Sequence, residues 1–130
     1  MNVNPFAHYE TALNLRSLRS ELLSSNIANT DTPGYQARDI DFQSAFHDVK
    51  SGMPSTLRTT SDKHIGSSPG VVAGAEIGYR IPMQPSVDGN TVEADIEQGQ
   101  FAENTVQYRA TLSFLSAQVS SLRYAIKGGE

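Results

Sequence analysis

The chain has no cysteine, no tryptophan and no strongly basic stretch. Without cysteine there are no disulfide staples, no thiolate metal ligands and no thiol nucleophile, although the compartment stays open. Apolar residues make up only 38% of the 130 positions and aromatic residues 8%. So little apolar material hardly offsets the ordering of the whole backbone, and part of the chain is expected to be stable only inside an assembly. The formal net charge is −4, with both signs spread along the sequence. A phosphate backbone calls for a basic face, so nucleic acid is excluded as a partner. No apolar run approaches the roughly 20 residues that cross a bilayer. The opening residues, MNVNPFAHYE, contain neither the basic nor the apolar region of a cleavable secretory signal.

What is present suits one modest domain with three regions. Residues 1–35 hold an N-terminal helix and a turn, residues 36–90 an irregular and partly flexible middle, and residues 91–130 a C-terminal helix. The helices themselves read over 5–31 and 91–127, so the fold class is mainly α, with loop and short β structure between two long terminal helices.

The C-terminal helix carries the clearest pattern. Phe101, Thr105, Tyr108, Leu112, Leu115, Val119, Leu122 and Ile126 follow one another at alternating steps of four and three. That is a heptad seam, a specific coiled-coil signal. Asn90 and Glu93 have the spacing of a capping box. Acidic residues gather toward the helix start, while Arg109, Arg123 and Lys127 lie later, as the helix dipole prefers. Gly128-Gly129 ends the periodicity.

The N-terminal helix is expected to start at Pro5 with Asn4 as its cap. Leu15, Leu18 and Leu22 form one stripe, and Phe6, Tyr9, Leu13 and Ile27 fall nearly opposite. The C-terminal helix repeats this more faintly, with Val106, Ala110, Phe114, Ala117 and Tyr124 opposite its seam. Two apolar faces call for two sets of neighbours: a hairpin within the chain on one side and other subunits on the other. Burial of each helix in a monomeric core is the plain alternative. Small residues (Ala110, Ser113, Ala117 and Ser120) would let neighbouring helices approach closely.

Chemistry-bearing groups are sparse. His8, His47 and His64 stand alone, with no carboxylate or second histidine at metal-ligand spacing. Asp39 and Asp41 sit in a polar stretch and read as solvated or capping residues rather than an acid/base pair. Neither a phosphate-binding glycine loop nor a nucleophile elbow is present. No catalytic residue, metal, cofactor or small-molecule substrate is therefore expected. In the middle region, residues 39–47 suit one or two amphipathic turns, 50–78 an irregular loop, Tyr79–Met83 a short strand, and Asp88-Gly89-Asn90 a turn.

The most specific stretch is Asn26-Ile27-Ala28-Asn29 running through Thr30-Asp31 into Thr32-Pro33-Gly34-Tyr35. Pro33 disfavours helical geometry at Thr32, and Pro33-Gly34 suits the central positions of a type II turn. Asn26 and Asn29 are mediocre helix formers whose amides can satisfy open carbonyls or reach a neighbouring chain. As a string the segment resembles the signature of the flagellar axial proteins, the rod and hook family. Ala37-Arg38-Asp39-Ile40-Asp41-Phe42, Gln84-Pro85-Ser86 with Asp88-Gly89-Asn90-Thr91-Val92, and Gln100-Phe101-Ala102-Glu103-Asn104 resemble its short proximal-rod members. The likeness covers roughly residues 10–45 and 79–127.

That resemblance implies an antiparallel coiled-coil hairpin of the terminal helices, packed through Leu15, Leu18, Leu22, Phe101, Tyr108, Leu112, Leu115, Val119, Leu122 and Ile126. It implies a non-enzymatic subunit of the proximal rod that polymerises into a torque-transmitting tube in the periplasm, exported without a cleaved signal. The partners it implies are copies of the chain itself, rod proteins of the FlgC, FlgF and FlgG types, a FliE-type adaptor, the membrane (MS) ring and the flagellar type III export gate. Phe42-Gln43-Ser44-Ala45-Phe46 is similar to the gate-recognition pattern, though phenylalanines four apart on a small helix also pack for structural reasons. A soluble helical-hairpin adaptor or secreted effector outside the flagellum is the alternative function.

Overall fold

The structure is a computed structural model and describes residues 5–50 and 75–128. Its elements run α1 (Ala7–Ala28), β1 (Arg38–Ile40), α2 (Phe42–Lys50), β2 (Ile77–Tyr79) and α3 (Ala94–Ile126). The fold is mainly α with two long terminal helices, as the sequence implies. The expected Asn4 cap, His64 and residues 51–74 of the expected loop lie outside the described residues.

α1 is an uninterrupted run without proline or glycine, entered through Phe6, which makes no side-chain capping bond. It stops at Ala28, short of the expected 31, because side chains compete for its last carbonyls. The Asn29 Nδ2 donates to Ser25 O at 2.8 Å and the Thr30 hydroxyl to Ile27 O at 2.7 Å. The chain then reverses through Thr32–Tyr35, where Tyr35 N–H donates to Thr32 O at 3.2 Å. Gly34 has φ +71°, the left-handed value that the third position of a type II turn requires.

β1 and β2 pair antiparallel in the register Arg38↔Tyr79, Asp39↔Gly78, Ile40↔Ile77. The strand thus ends where the sequence pattern has it begin. Arg80 N–H extends the ladder to Ala37 O at 2.9 Å, and Pro82 just beyond lacks the donor needed to continue it. Between the strands, α2 is a full helix rather than a turn or two. Its start is capped by Asp41, whose Oδ1 accepts the N–H groups of Gln43 and Ser44 at 3.0 and 3.2 Å.

α3 begins after Glu93, again with no side-chain capping bond. The expected capping box does not form, because Asn90 is engaged elsewhere. Its Nδ2 points at the carbonyls of Asn29, Thr30 and Thr32, at 3.0, 2.8 and 2.9 Å, and its Oδ1 accepts Val92 N–H at 2.7 Å. The open end of α1 offers acceptors that outcompete the local cap. Asp95 and Glu97 occupy the first turn of α3 and Arg123 the last, matching the dipole.

The two long helices run antiparallel: Asn26 meets Glu97, Ser20 meets Asn104, and Arg16 meets Gln107. α1 has 22 residues and α3 has 33, so α3 is longer by about 16 Å. The buried apolar cluster contains Leu15 and Leu22 of α1 with Ile40 and Ala45, and Leu18, Phe42, Phe46 and Ala75 pack against it. No α3 residue belongs to that cluster, so the leucine stripe is covered by the β1–α2 arm. Part of the middle region, β1 and α2, therefore belongs to the core, while β2 and residues 83–89 are exposed.

Candidate assembly interface

The helix-end motif acts first on its own chain. Asn26, with 0% exposure, uses its amide as a substitute strand edge. Its Oδ1 accepts Arg38 N–H at 3.0 Å and its Nδ2 donates to Arg38 O at 2.8 Å and to Glu97 Oε2 at 3.0 Å. β1 is consequently held on one edge by β2 and on the other by a side chain of α1. Tyr35 is half-buried, its hydroxyl 3.1 Å from that of Ser25 and 3.4 Å from Asn26 Oδ1, so it anchors the turn to α1. Thr32 donates to Asn29 Oδ1 at 3.0 Å. Ile27 is half-buried, whereas Ala28, Pro33 and Gly34 are exposed.

Beside Asn26 lies a charged knot that draws on every part of the chain. Arg19 grips Asp39 with two bonds, Nε to Oδ1 at 2.9 Å and Nη2 to Oδ2 at 3.0 Å. Arg80 bonds both Asp39 and Glu97, and the two guanidiniums share Gln100 Oε1 at 3.0 and 2.7 Å. Glu97 is 0% exposed and the other three charges nearly buried, but two arginines balance two carboxylates, which is what makes burial of such groups tolerable. Burial opposes ionisation of Asp39, yet the bonds from Arg19, from Ile40 N–H and from Arg80 prevail and hold its carboxyl below the ordinary range. The same bond to Asp39 raises Arg19, while burial and the nearby Arg19 charge lower Arg16.

The face that α3 turns to α1 is polar. Glu97, Gln100, Asn104 and Gln107, at steps of three, four and three, all bond α1 side chains or backbone. Asn104 is fully buried, donating to Arg16 O at 2.8 Å and to the Ser20 hydroxyl at 2.7 Å. The apolar seam lies one residue, about 100°, around the helix. Of its members Phe101, Tyr108 and Leu115 are half-buried beside α1, whereas Leu112, Val119, Leu122 and Ile126 are exposed. A search for apolar periodicity passes over the polar seam; its signal is the same three-and-four spacing in glutamine, asparagine and glutamate.

From Ser116 to Gly128 every residue of α3 and its end is exposed in the single chain. Val106 and Phe114, 67% and 65% exposed, add to this surface with Tyr124, and the small residues Ala110, Ser113, Ala117 and Ser120 lie exposed among them. In the single chain these apolar residues are left open to solvent. Phe42 and Phe46 stack with centroids 5.8 Å apart, and the Arg16 guanidinium lies 4.1 Å over the Phe42 ring. Both rings are half-buried on the core cluster.

His8 and His47 are exposed, His8 against Tyr9 and His47 at 3.9 Å from Asp48. Among the described residues no group of histidines and carboxylates is placed to hold a metal ion. No described helix is long and apolar enough to cross a membrane.

Comparison with known proteins bears on the same segments. The family model described as "Flagella basal body rod protein" matches residues 7–36, which span α1 and its turn. The chain is 49% identical to the flagellar basal body rod protein FlgB of Escherichia coli (strain K12) over 125 residues, covering 92% of this chain and 91% of that relative. It is 43% identical to FlgB of Proteus mirabilis (strain HI4320) over 131 residues, covering 97% and 96%. With FlgB of Cereibacter sphaeroides (strain ATCC 17029 / ATH 2.4.9) the identity is 49% over 117 residues, covering 90% and 89%.

Proposed function

Because the chain belongs to the FlgB family of flagellar basal body rod proteins, we propose that it is a structural subunit of the bacterial proximal rod. The observation that carries the mechanism is the apolar surface of α3 left open beyond α1. Residues 1–35 and 91–130 supply the core that packs into the tube, and β1 and α2 of the middle region brace it. Neighbouring subunits cover Leu112, Val119, Leu122 and Ile126, so the seam completes between chains what α1 leaves unfinished within one. A tube built from such contacts transmits torque through interlocked helices rather than through flexible links. Copies of the chain, other rod proteins of the FlgC, FlgF and FlgG types, the FliE-type adaptor and the MS ring are its partners. It works in the periplasm after passage through the flagellar export gate without a cleaved signal, and Phe42 and Phe46 serve as the gate's recognition element before they are folded into the core.

The role is mechanical and needs no catalysis. A hairpin adaptor or effector outside the flagellum finds no support among the relatives. Replacing Leu122 by Asp is expected to abolish rod assembly and swimming while leaving the circular dichroism of the isolated chain unchanged. The protein should also be recovered in several copies per purified basal body. Normal swimming by Leu122→Asp cells, or absence of the protein from basal bodies, contradicts the reading.

A further inference from the structure

We propose that the polar seam of α3 determines both the face and the register in which the two terminal helices meet. It thereby leaves Leu112 of the apolar seam exposed and Phe101, Tyr108 and Leu115 only half-buried at the edge of that contact. Burial of apolar area alone would turn α3 by about 100° and bury Phe101, Tyr108, Leu112 and Leu115 fully, where the structure leaves three of them half-buried and Leu112 exposed. Instead the hydrogen bonds of the contact are made by Glu97, Gln100, Asn104 and Gln107, each with its own combination of partners. Glu97 takes Asn26 and Arg80, Gln100 takes Arg19 and Arg80, Asn104 takes Ser20 and Arg16 O, and Gln107 takes Arg16.

Because the partners differ, the seam fits one alignment. A slip of one heptad carries Asn104 to the place of Glu97 and removes the carboxylate from Arg80, leaving charge buried without its counterion. A buried polar side chain at a helix interface is a known means of setting register at a cost in stability. That cost is visible here, since among the described residues Asn104 Oδ1 and Arg16 Nε are buried without a hydrogen-bond partner. Asn104 is thus a positioning residue: it contributes less to how tightly the helices hold than to where they hold.

The register claim concerns the single chain. Its consequence, that the open seam is reserved for neighbouring subunits, rests on the rod-subunit reading. The chain has no cysteine, so nitroxide labels at Ser17→Cys and Ser113→Cys, both exposed positions, report the helix alignment in the full-length protein without background. Pulsed electron spin measurements on the parent are expected to give one narrow distance. In Asn104→Leu with Gln107→Leu, a second population displaced by about 5–10 Å should appear, with the melting temperature unchanged or raised.

An unchanged single distance in the double variant overturns the proposal, because apolar contact would then suffice to place the helices. Loss of helicity in the variant overturns it too, by making the seam a requirement for folding rather than for alignment. A parent without a single narrow distance does the same. None of these results touches rod membership, which the Leu122→Asp and basal-body experiments decide independently.

Discussion

Asn26 joins three elements through a single side chain. One amide closes the free edge of β1 by bonding both the N–H and the carbonyl of Arg38, and it also reaches Glu97 on α3. An aspartate there retains the acceptor but loses the donor, and it brings a second carboxylate against Glu97. An alanine leaves buried backbone groups unpaired, at a cost of about 2–3 kcal/mol. Urea unfolding followed by circular dichroism should show that loss for Asn26→Ala and a larger one for Asn26→Asp. Asn90 plays the matching part from the other side, where its amide meets three carbonyls beyond the last turn of α1. These two asparagines, distant in sequence, join the end of the first helix to the strand and to the approach of the last.

Helices, turn and strand pairing differ in how visible they are in the sequence. The Thr-Pro-Gly-Tyr turn is legible because proline and glycine impose its dihedrals locally, and the structure has the glycine at φ +71° as such a turn demands. The two long helices are legible from periodicity. The surfaces by which they meet are less so, because the leucine stripe packs on the β1–α2 arm and the hydrogen bonds between the long helices come from a polar seam beside the apolar one. Position within one helix does not say which of two seams a neighbour selects; the polar seam's charged partners, Arg19, Arg80 and Asp39, come from three separate segments.

Among the ties between the β1–α2 arm and the long helices, the Asp39 ion pairs give the contact a pH dependence. The Asp39 carboxyl is held below the ordinary range, so it binds fewer protons when folded than when unfolded. The stabilisation is fully present at neutral pH and is lost as pH falls from about 4 downward through the lowered value. Asp39→Asn should lower stability at neutral pH and flatten the acid limb of the stability curve. Unfolding free energies measured across pH 2–7 (roughly the span set by the carboxylate range) check this, and an acid limb unchanged by the substitution contradicts it.

The whole molecule is a braced hairpin with one arm longer than its brace. Packing stabilises α3 over its first two thirds, where α1 covers it, and leaves the exposed last third from Ser116 onward to its own helical propensity. Backbone amides of Ser116–Ile126 should therefore exchange with solvent far faster than those of Arg16–Asn26 in the isolated chain. In purified basal bodies the difference should shrink as neighbours cover the seam. Equal protection of both segments in the free subunit would mean that the arm needs no company. The low apolar content and the two faces per helix already imply this division, although the point at which α1 ceases to cover α3 follows only from the alignment.

The knot of Arg19, Asp39, Arg80 and Glu97 has a kinetic consequence. Its bonds join residues separated by between 17 and 41 positions, and through Gln100 by 81. Each closes a loop before it returns any energy, which slows folding in proportion to how non-local the contacts are. The two ends of the chain are therefore expected to meet late, which stopped-flow folding of the isolated chain, with a probe on each long helix, would show as a slow phase. A polypeptide so arranged remains threadable for longer than a hairpin zipped from a tight turn.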